Sequence, residues 1–495
     1  MIPATPRAPL VVALALLTAL GLGARLRGAS APPFDFHPTR QYYALLFAQD
    51  YRHQLCGDPR SPEALAARAN REGEALLEPP VVPVLTALGW CALGRESLAL
   101  PRVLMSLAWA LGALAAAWLT RVLGGGTLAP LLAATWCLFH PYAVAAGRSV
   151  QPDVPMVALL LLGAACLARG RDDPDARWTW RAAAALGTAV LVKLVAVFFA
   201  GPLVAWRVLR GRSMSLRDKG SFALAVAPAA LWYAWGWFVE GSLRHQGSGR
   251  FRPALLGTEV FWSDLARRVD TVTGLRVFYV TAALGALALR GPARAVSLAF
   301  LLGQVGLGVA FTQHIYTHDY YLLPLLPWVG VTLALSVDAL LSRIPRGRSI
   351  AQGLTLALAL GLAARGTAQA WRDADRNVRL GAPVVDDARR LGAVLQHRRD
   401  VLMQAPWYGL PHKFHGRFAA EYWPDHLDLA DDPRPWSPAE RVRRGYPGHA
   451  FARFVVADPA EIPAQPALWQ MLTTRCAPTL RDARLAVFAC EGLRP

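Results

Sequence analysis

Long apolar blocks alternate with short, arginine-rich spacers through most of the chain. A helix needs about 20 mainly apolar residues to cross a bilayer, and most of the blocks approach that length. The pattern predicts about eleven transmembrane helices, at residues 8–27, 101–120, 127–146, 154–169, 180–193, 194–208, 220–239, 271–289, 293–311, 321–341 and 350–367. Segments 180–193 and 194–208 are short for two crossings, and a single long span is the alternative there.

The basic spacers set the predicted orientation, because short cytoplasmic loops are enriched in Lys and Arg. With a cytoplasmic N-terminus and eleven crossings, nearly every basic spacer is cytoplasmic: Arg121 and the stretches 169–181, 207–219, 290–294 and 343–348. The outer face then receives loops 28–100, 147–153, 240–270 and 312–320 and the tail from residue 368. Loop 240–270 is the exception to the rule, since it carries Arg244, Arg250, Arg252, Arg267 and Arg268.

The first outer loop and the tail both have their own structural patterns. In loop 28–100, residues 38–53 and 61–76 are predicted to form surface helices, and 79–94 an interfacial or re-entrant segment. In the tail, residues 386–398 are predicted to be helical, and short strands are predicted at 401–405, 454–457 and 485–489. The fold class is therefore an α-helical polytopic membrane domain, residues 1–368, followed by a small extracytoplasmic α/β domain, residues 369–495.

Composition supports a membrane protein, with 54% hydrophobic and 17% charged residues. The net charge of +18 comes from 52 basic and 34 acidic side chains. Nucleic-acid binding is not expected, because the sequence lacks a compact basic patch with interleaved aromatic residues. Cys91, Cys137 and Cys166 lie in apolar blocks and are predicted to be packing residues. Whether Cys476 and Cys490 form a disulfide is left open.

Polar and ionisable residues beside membrane spans are costly, which makes them candidates for function. The first cluster contains Asp35, His37 and Arg40, a combination that can deprotonate a hydroxyl and bind a phosphate. Helix capping by Asp35 before Pro38 is the structural alternative. The second cluster is Glu78 followed by two prolines, with a solvated acid before a helix as its alternative.

The remaining clusters follow the third span and precede the tenth. Arg148 and Asp153 share a short outer loop, where a mutual salt bridge is the structural alternative. His314 and His318 are spaced i, i+4, which also suits a metal, although no third ligand is evident nearby. Asp319, Tyr320 and Tyr321 follow directly, and Lys193 separates the two short segments.

In this order, the motifs resemble those of family 39 glycosyltransferases and their relatives, the lipid A aminoarabinose transferases and protein O-mannosyltransferases of the GT-C class. The resemblance covers about residues 8–370. It rests on the polar motif after the first span, Glu78-Pro79-Pro80, Arg148 with Asp153, Lys193, and His318-Asp319-Tyr320-Tyr321 followed by two spaced prolines. The family's Asp-Glu-x-Arg-Tyr is replaced by His37-Pro38-Thr39-Arg40-Gln41, so His37 takes the position of the base and Asp35 precedes it by two residues.

The resemblance implies an enzyme that moves a sugar from a polyprenyl-phosphate donor to a hydroxyl of a lipid, glycan or protein acceptor at the outer face of the membrane. It implies catalytic roles for Asp35, His37, Glu78 and Asp153. It also implies donor-phosphate binding by Arg40, Arg148, Lys193, His318, Tyr320 and Tyr321. No cofactor is expected, the need for a divalent metal is left open, and the expected location is a bacterial inner membrane.

Two other functions remain as alternatives. A transporter or lipid flippase shares the many-helix layout, but it is expected to have charged residues in mid-span and internal repeats, which the sequence does not display. A non-catalytic relative, or an oligosaccharide polymerase or ligase, stays open because the family's Asp-Glu pair is missing.

Overall fold

The computed structural model describes residues 8–172, 175–210, 215–241, 243–244, 250–344, 347–430, 432 and 434–493. Two compact units are present, the first formed by residues 1–30, 75–81 and 99–374, the second by residues 31–74, 82–98 and 375–495. Parts of four predicted loops, at 173–174, 211–214, 245–249 and 345–346, lie outside the described residues.

The described helices are, in chain order, α1 (Ala8–Leu26), α2 (Pro38–Cys56), α3 (Pro62–Glu72), α4 (Val81–Leu93), α5 (Ala99–Val122), α6 (Leu128–Phe139), α7 (Pro141–Ala146), α8 (Asp153–Asp172), α9 (Ala176–Val192), α10 (Val197–Arg210), α11 (Leu216–Trp235), α12 (Glu259–Thr273), α13 (Leu275–Leu287), α14 (Gly291–Ala310), α15 (Thr312–Ile315), α16 (Leu325–Leu341), α17 (Arg348–Leu395), α18 (Leu410–Gly416), α19 (His426–Ala430), α20 (Pro438–Gly445) and α21 (Pro466–Arg475). The strands are β1 (Val401–Gln404), β2 (Glu421–Tyr422), β3 (Phe451–Val456), β4 (Ala477–Arg481) and β5 (Ala486–Leu493).

The first unit is helical, and each of the predicted spans is helical over most of its length, with breaks at His140 in span 127–146 and at Gly274 near the start of span 271–289. Among the described residues, seven helices are long and apolar enough to cross a membrane, and shorter apolar helices accompany them. The predicted class, a polytopic α-helical protein with a small C-terminal sheet domain, is therefore confirmed. Segment 180–208, for which two short crossings or one long span were the alternatives, is interrupted. Helix α9 ends at Val192, and Lys193 has an extended backbone with φ −155° and ψ 122°.

Small residues let the helices of the first unit approach closely. A Cβ added at Gly163 of α8 would lie 2.5 Å from the side chain of Leu186 on α9. A Cβ at Gly187 would meet the backbone of Ala225 on α11 at 2.3 Å. Such small-residue contacts are typical of packed helices in membranes. They hold α8, which begins at Asp153, and α9, which ends one residue before Lys193, against their neighbours.

The second unit contains a five-stranded sheet of order β2-β1-β3-β5-β4. Strand β1 pairs in parallel with β2 and β3, whereas β5 is antiparallel to β3 and β4. Alternating residues of β3 serve the two faces: Phe454 packs with Trp423 and Leu472, and Val455 packs with Leu391. The predicted strands correspond to β1, β3 and β5, and the structure adds β2 and β4.

Helices α2, α3 and α4 match the three predicted segments of the first outer loop. A disulfide joins Cys56 at the end of α2 to Cys91 in α4, and a second one joins Cys476 to Cys490. The interpretation of Cys91 as a packing residue is therefore wrong, because Cys56 lies within disulfide distance. Cys137 and Cys166 are free and buried, as expected for packing residues.

The long helix α17 changes one prediction. Its 48 residues join the last predicted span, 350–367, to the predicted soluble helix, 386–398, without an interruption. The units also divide the chain differently from the predicted domains: α2, α3 and most of α4 belong with the C-terminal residues, and the boundary within α17 falls after residue 374.

Candidate active site

Lys193 is the centre of a buried charged cluster in the first unit. Its side chain is 3% exposed, and Nζ donates to both carboxylate oxygens of Asp153 at 2.8 Å. The nearest oxygen of Glu78 lies 4.0 Å from the same Nζ. The ammonium of Lys193 therefore contacts two carboxylates, those of Glu78 and Asp153, which are 75 residues apart in sequence.

Local structure explains how these three residues are presented. Lys193 sits at the break between α9 and the turn Leu194–Ala196, so its side chain leaves the end of a helix rather than its face. Asp153 is the first residue of α8, where a carboxylate is favoured by the helix dipole. Glu78 precedes the two prolines that lead into α4.

Two tyrosine rings form an aromatic wall over the ammonium. The Nζ of Lys193 lies 5.0 Å from the ring centroid of Tyr320 and 4.6 Å from that of Tyr321. Both tyrosines are buried in the short helical turn Asp319–Leu322, and their centroids are 4.9 Å apart. Cation–π attraction of this kind is stronger when water is excluded, as it is here.

Three further residues extend the cluster. The hydroxyl of Tyr142 interacts electrostatically with Asp319 and Asp153. The hydroxyl oxygen of Tyr233 accepts a hydrogen bond from the backbone N–H of Leu194 at 3.0 Å. The hydroxyl of Tyr233 also interacts electrostatically with Glu78 and Arg250. Arg250 is therefore near enough to Tyr233 to act on it electrostatically.

Sequence reasoning did not select Tyr142, Tyr233 or Arg250 as site residues. Arg250 did carry a signal, since it lies in the outer loop that departs from the positive-inside rule. A basic residue kept on the unfavoured side suggests a local partner. Tyr233 carried no signal, because a tyrosine near the end of an apolar helix is usually an interfacial anchor.

The motif Asp35–Arg40 lies in the second unit, at the start of α2. His37 precedes the helix with φ 41° and ψ 70°, and Pro38 occupies the first helical turn. A non-glycine residue in this left-handed region is uncommon and tends to occur at functional sites. Asp35 is buried, and the guanidinium of Arg40 lies 5.5 Å from the ring of Tyr43. The motif is thus compact and structured.

Arg148 occupies a different environment from the one its predicted role implies. It is buried and donates to the backbone carbonyls of Arg25 at 3.3 Å and Arg27 at 2.6 Å. These bonds satisfy carbonyls at the end of α1, which a helix terminus leaves without intrahelical partners. Its placement favours holding the helix end, and its role toward phosphate stays a prediction.

The two histidines predicted as a pair, His314 and His318, lie next to each other in the structure. The rings of His314 and His318 stack with centroids 5.7 Å apart, and Nδ1 of His318 is 2.7 Å from the hydroxyl of Thr317. Among the described residues, the group with metal-ligand geometry lies elsewhere, at His53, Glu63 and Glu96. Both oxygens of Glu96 already accept hydrogen bonds from Arg417, so this group resembles an ion-pair network.

Of the ten predicted site residues, the first unit gathers Glu78, Asp153, Lys193, Tyr320 and Tyr321 into the cluster. His318 adjoins it, with its ring 5.3 Å from that of Tyr320. Arg148 is placed separately, and Asp35, His37 and Arg40 belong to the second unit. The chemical roles of all ten stay predictions.

Comparison with known proteins identifies similar folds. The structure is similar to that of ArnT from Cupriavidus metallidurans bound to undecaprenyl phosphate, with 17% identity, 97% of this chain and 98% of that chain covered, and a TM-score of 0.58. It is also similar to arabinofuranosyltransferase AftD from Mycobacteria, with 17% identity, 98% and 42% of the respective chains covered, and a TM-score of 0.55. An Archaeoglobus fulgidus oligosaccharyltransferase, solved with zinc and sulfate, matches with 11% identity, 90% and 68% coverage and a TM-score of 0.53.

The sequence itself matches one family model. The family is described as dolichyl-phosphate-mannose-protein mannosyltransferase, and residues 94–240 are matched. This segment includes Asp153 and Lys193 of the cluster. No curated protein matches the sequence significantly. The resemblance to membrane glycosyltransferases of the GT-C class is therefore confirmed, by fold over nearly the whole chain and by the family model over residues 94–240.

Proposed function

We propose that the protein is an integral membrane glycosyltransferase that moves a sugar from a polyprenyl-phosphate donor to a hydroxyl-bearing acceptor. The observation that carries the proposal is the buried cluster of Lys193, Asp153 and Glu78 beneath Tyr320 and Tyr321. The undecaprenyl phosphate bound to the similar ArnT structure supports a lipid-linked donor.

The chemistry of transfer needs a cation and a base. The bond between the sugar anomeric carbon and the phosphate oxygen breaks, and its electron pair leaves with the phosphate. A preorganised ammonium in a dry site stabilises the negative charge that develops on that oxygen. Lys193 fits this role, with Asp153 orienting the ammonium through two hydrogen bonds.

The acceptor oxygen forms the new bond to the anomeric carbon and gives its proton to a base. Glu78 is the better candidate within the cluster, because both oxygens of Asp153 are engaged by Lys193 at 2.8 Å while Glu78 is 4.0 Å away. Asp35 and His37 remain candidates through the family resemblance, and the strained backbone of His37 supports testing them. Arg40, Arg148, His318 and Arg250 are further candidates for contacts to the donor phosphate.

The expected location is a bacterial inner membrane, with the N-terminus cytoplasmic and the C-terminal domain outside. The disulfides Cys56–Cys91 and Cys476–Cys490 support this orientation, because disulfides persist in oxidising compartments. Both belong to the second unit, whereas the free Cys137 and Cys166 lie in helices of the first.

Transfer of a radiolabelled sugar from a synthetic polyprenyl-phosphate donor to a membrane extract tests the proposal. Purified protein is expected to yield labelled acceptor, and Lys193→Met, Asp153→Asn and Glu78→Gln are each expected to reduce turnover strongly. Asp35→Asn and His37→Ala, assayed in parallel, identify which base is used.

Lys413→Met is the matched control, because Lys413 is also buried and ion-paired, 2.8 Å from Glu74 in the second unit. Its turnover per folded molecule is expected to stay near that of the unmodified protein. Movement of the lipid across vesicles without cleavage of the glycosidic bond would instead identify a flippase. Full activity in all of the cluster variants would show that the chemistry lies elsewhere.

A further inference from the structure

The break between α9 and α10 leaves one backbone N–H group without a partner in its own helix. Helix α9 ends at Val192, and Lys193 follows in an extended conformation. A short helical turn then runs from Leu194 to Ala196, before α10 begins. A residue that opens a helical turn has no intrahelical acceptor for its N–H, so the N–H of Leu194 needs a partner from elsewhere.

That partner is a side chain of another helix. The N–H of Leu194 donates to the hydroxyl oxygen of Tyr233 on α11 at 3.0 Å, across 39 residues of sequence. Helices α9 and α11 approach closely at Gly187, where an added Cβ would meet the backbone of Ala225. The hydroxyl that accepts this hydrogen bond therefore belongs to a helix that packs directly against α9.

Three hydrogen bonds together fix the backbone of Lys193. Its own N–H donates to the carbonyl of Ala189 at 3.0 Å, which sets the peptide plane before the residue. Its carbonyl accepts from the N–H of Ala196 at 3.0 Å and shares a planar peptide unit with the N–H of Leu194. The bond to Tyr233 therefore sets the plane after Lys193 and, with it, the direction in which the lysine side chain leaves the backbone.

The contacts of the ammonium depend on this direction. The Nζ of Lys193 donates to both oxygens of Asp153 at 2.8 Å and lies 4.0 Å from the nearest oxygen of Glu78. A displacement of about 1 Å in an active site can cost about a hundredfold in rate. We propose that Tyr233 is a positioning residue, whose hydroxyl holds the helix break so that Lys193 stays directed at Asp153 and at the leaving phosphate. This role rests on the proposed function, in which the ammonium stabilises that phosphate.

The same hydroxyl is close to the proposed base. It interacts electrostatically with Glu78. Direct action of the Tyr233 hydroxyl on the base or on the substrate is therefore the competing explanation. The experiment has to separate positioning of the break from such direct contact.

Tyr233→Phe removes the hydroxyl and keeps the ring. For transfer of a radiolabelled sugar from a synthetic polyprenyl-phosphate donor, kcat per folded molecule is expected to fall about tenfold, the effect of one lost hydrogen bond. The KM for the donor should stay within about twofold, because a misdirected ammonium loses an interaction made mainly in the transition state. Tyr279→Phe is the matched control, since Tyr279 lies on α13 of the same unit and is 62% exposed, and its kcat should be unchanged.

Leu194→Pro provides a rescue that direct action would not allow. Proline has no N–H, its φ of about −65° suits the first residue of a helical turn, and it favours an extended backbone in the residue before it. Lys193 already has that extended backbone. In the double variant, Leu194→Pro with Tyr233→Phe, the ring fixes the break and no donor is left unsatisfied.

The kcat of the double variant should return to within about twofold of that of the unmodified protein, since proline restricts the backbone at the break. A kcat as low as that of Tyr233→Phe alone, in protein that thermal unfolding shows to be folded, would assign the hydroxyl to direct action. That result would overturn the inference.

Hydrogen–deuterium exchange examines the break without relying on activity. In detergent, one amide in the peptides that cover residues 190–197 should exchange about fivefold faster in Tyr233→Phe than in Tyr279→Phe, because the N–H of Leu194 loses its acceptor. Equal exchange in the two variants would overturn the inference, whether or not the double variant folds.

Lys193→Met distinguishes failure of the inference from failure of the proposed function. An inactive Lys193→Met beside a fully active Tyr233→Phe would overturn the positioning role alone. Turnover by Lys193→Met near that of the unmodified protein would overturn the proposed function, and the positioning role with it.

Discussion

Each of the two units contains a charged cluster. In one cluster a single cation contacts two carboxylates, and in the other a single carboxylate accepts hydrogen bonds from several donors. In the first unit, one ammonium, that of Lys193, contacts the carboxylates of Asp153 and Glu78. In the second unit, one carboxylate, that of Glu96, accepts hydrogen bonds from Arg417, Arg52 and the amide of Gln49. The first arrangement places a second acid close to an ammonium that is already engaged, and the second surrounds a single acid with donors.

The surroundings reinforce the contrast. Burial pushes the pKa of Glu96 up, but the hydrogen bonds and charge of Arg417, with Gln49 and Arg52, outweigh burial, and the pKa is lowered. A carboxylate held in its ionised form by several donors is a weak base and a good structural anchor. Lys193, in contrast, lies under two tyrosine rings beside a carboxylate that is not directly hydrogen-bonded to it. The comparison suggests chemistry in the first cluster and stability in the second.

Removal of the cluster's charges is expected to have the largest effect. Lys193→Met and Asp153→Asn should each lower turnover at least about a hundredfold, because a preorganised charge is lost. Each single change also removes the hydrogen-bonded partner of a buried charge, at a cost of about 3–5 kcal/mol in the free energy of unfolding. The double variant should recover part of that stability but none of the turnover.

Labelled-sugar transfer and denaturant unfolding of the three proteins in detergent measure both quantities. Recovery of turnover in the double variant would assign the pair to structure alone. It would also remove the distinction between the two clusters.

Breaking the Cys56–Cys91 disulfide should affect stability next most strongly. The bond closes a loop with a sequence separation of 35 residues, and its loss should lower the free energy of unfolding by about 3–4 kcal/mol. Cys56→Ser with Cys91→Ser tests this without leaving a free thiol, and turnover per folded molecule should be retained. A larger fall in turnover than in folded fraction would mean that this loop takes part in chemistry.

Glu96→Gln should have a moderate effect, also confined to stability. The neutral amide keeps the shape but loses the charge that binds Arg417, for an expected loss of about 2 kcal/mol in the free energy of unfolding. Thermal unfolding of Glu96→Gln beside Glu78→Gln gives the matched comparison. We expect Glu96→Gln to change unfolding and Glu78→Gln to change turnover; the reverse pattern would exchange the roles of the clusters.

Mild acid, down to pH 6, should have the smallest effect per residue. Burial lowers the pKa of His412 to about 4, and burial, with the charge of Arg417 as the next cause, lowers the pKa of His415 to about 3. Both pKa values are depressed below the ordinary value of 6.5, so their stabilisation is complete above pH 6.5 and is lost as the pH falls toward 4 and 3. At pH 6 each histidine should cost about 1 kcal/mol.

The unfolding midpoint of the second unit between pH 7.5 and 6 measures this loss. His415→Gln retains a hydrogen-bonding group for the hydroxyl of Tyr42, which lies 2.8 Å from Nε2 of His415. The variant should show a shallower pH dependence. An unchanged slope would mean that His415 is not responsible.

Sequence patterns predicted the helices of the first unit well, because a span needs a long apolar block whatever its neighbours are. They also selected Glu78, Asp153, Lys193, Tyr320 and Tyr321, since polar groups among apolar residues are costly and therefore conspicuous. The break at Lys193 was predicted from the basic spacers, because two crossings between residues 180 and 208 keep most of them on the cytoplasmic side. These features depend on local composition, which a single sequence contains.

The features that were missed depend on contacts between distant positions. The partner of Cys91 is 35 residues away, and Glu96 meets Arg417 across 321 residues. No local pattern encodes such pairs. The helix α17 was predicted as two pieces because its polar residues after 367 resemble a boundary, although polarity changes the environment of a helix and does not end it. Tyr233 looked like an interfacial anchor.

Lys193 directly follows α9, and this position limits which insertions and deletions α9 can tolerate. Insertion of one residue into α9 would advance the chain by about 1.5 Å and rotate all later residues of the helix by about 100°. The ammonium would then turn away from Asp153 and from both tyrosines. Apolar positions of α9 can be exchanged for others of similar size, but their number cannot change. Insertions and deletions should therefore be far more harmful in α9 than substitutions.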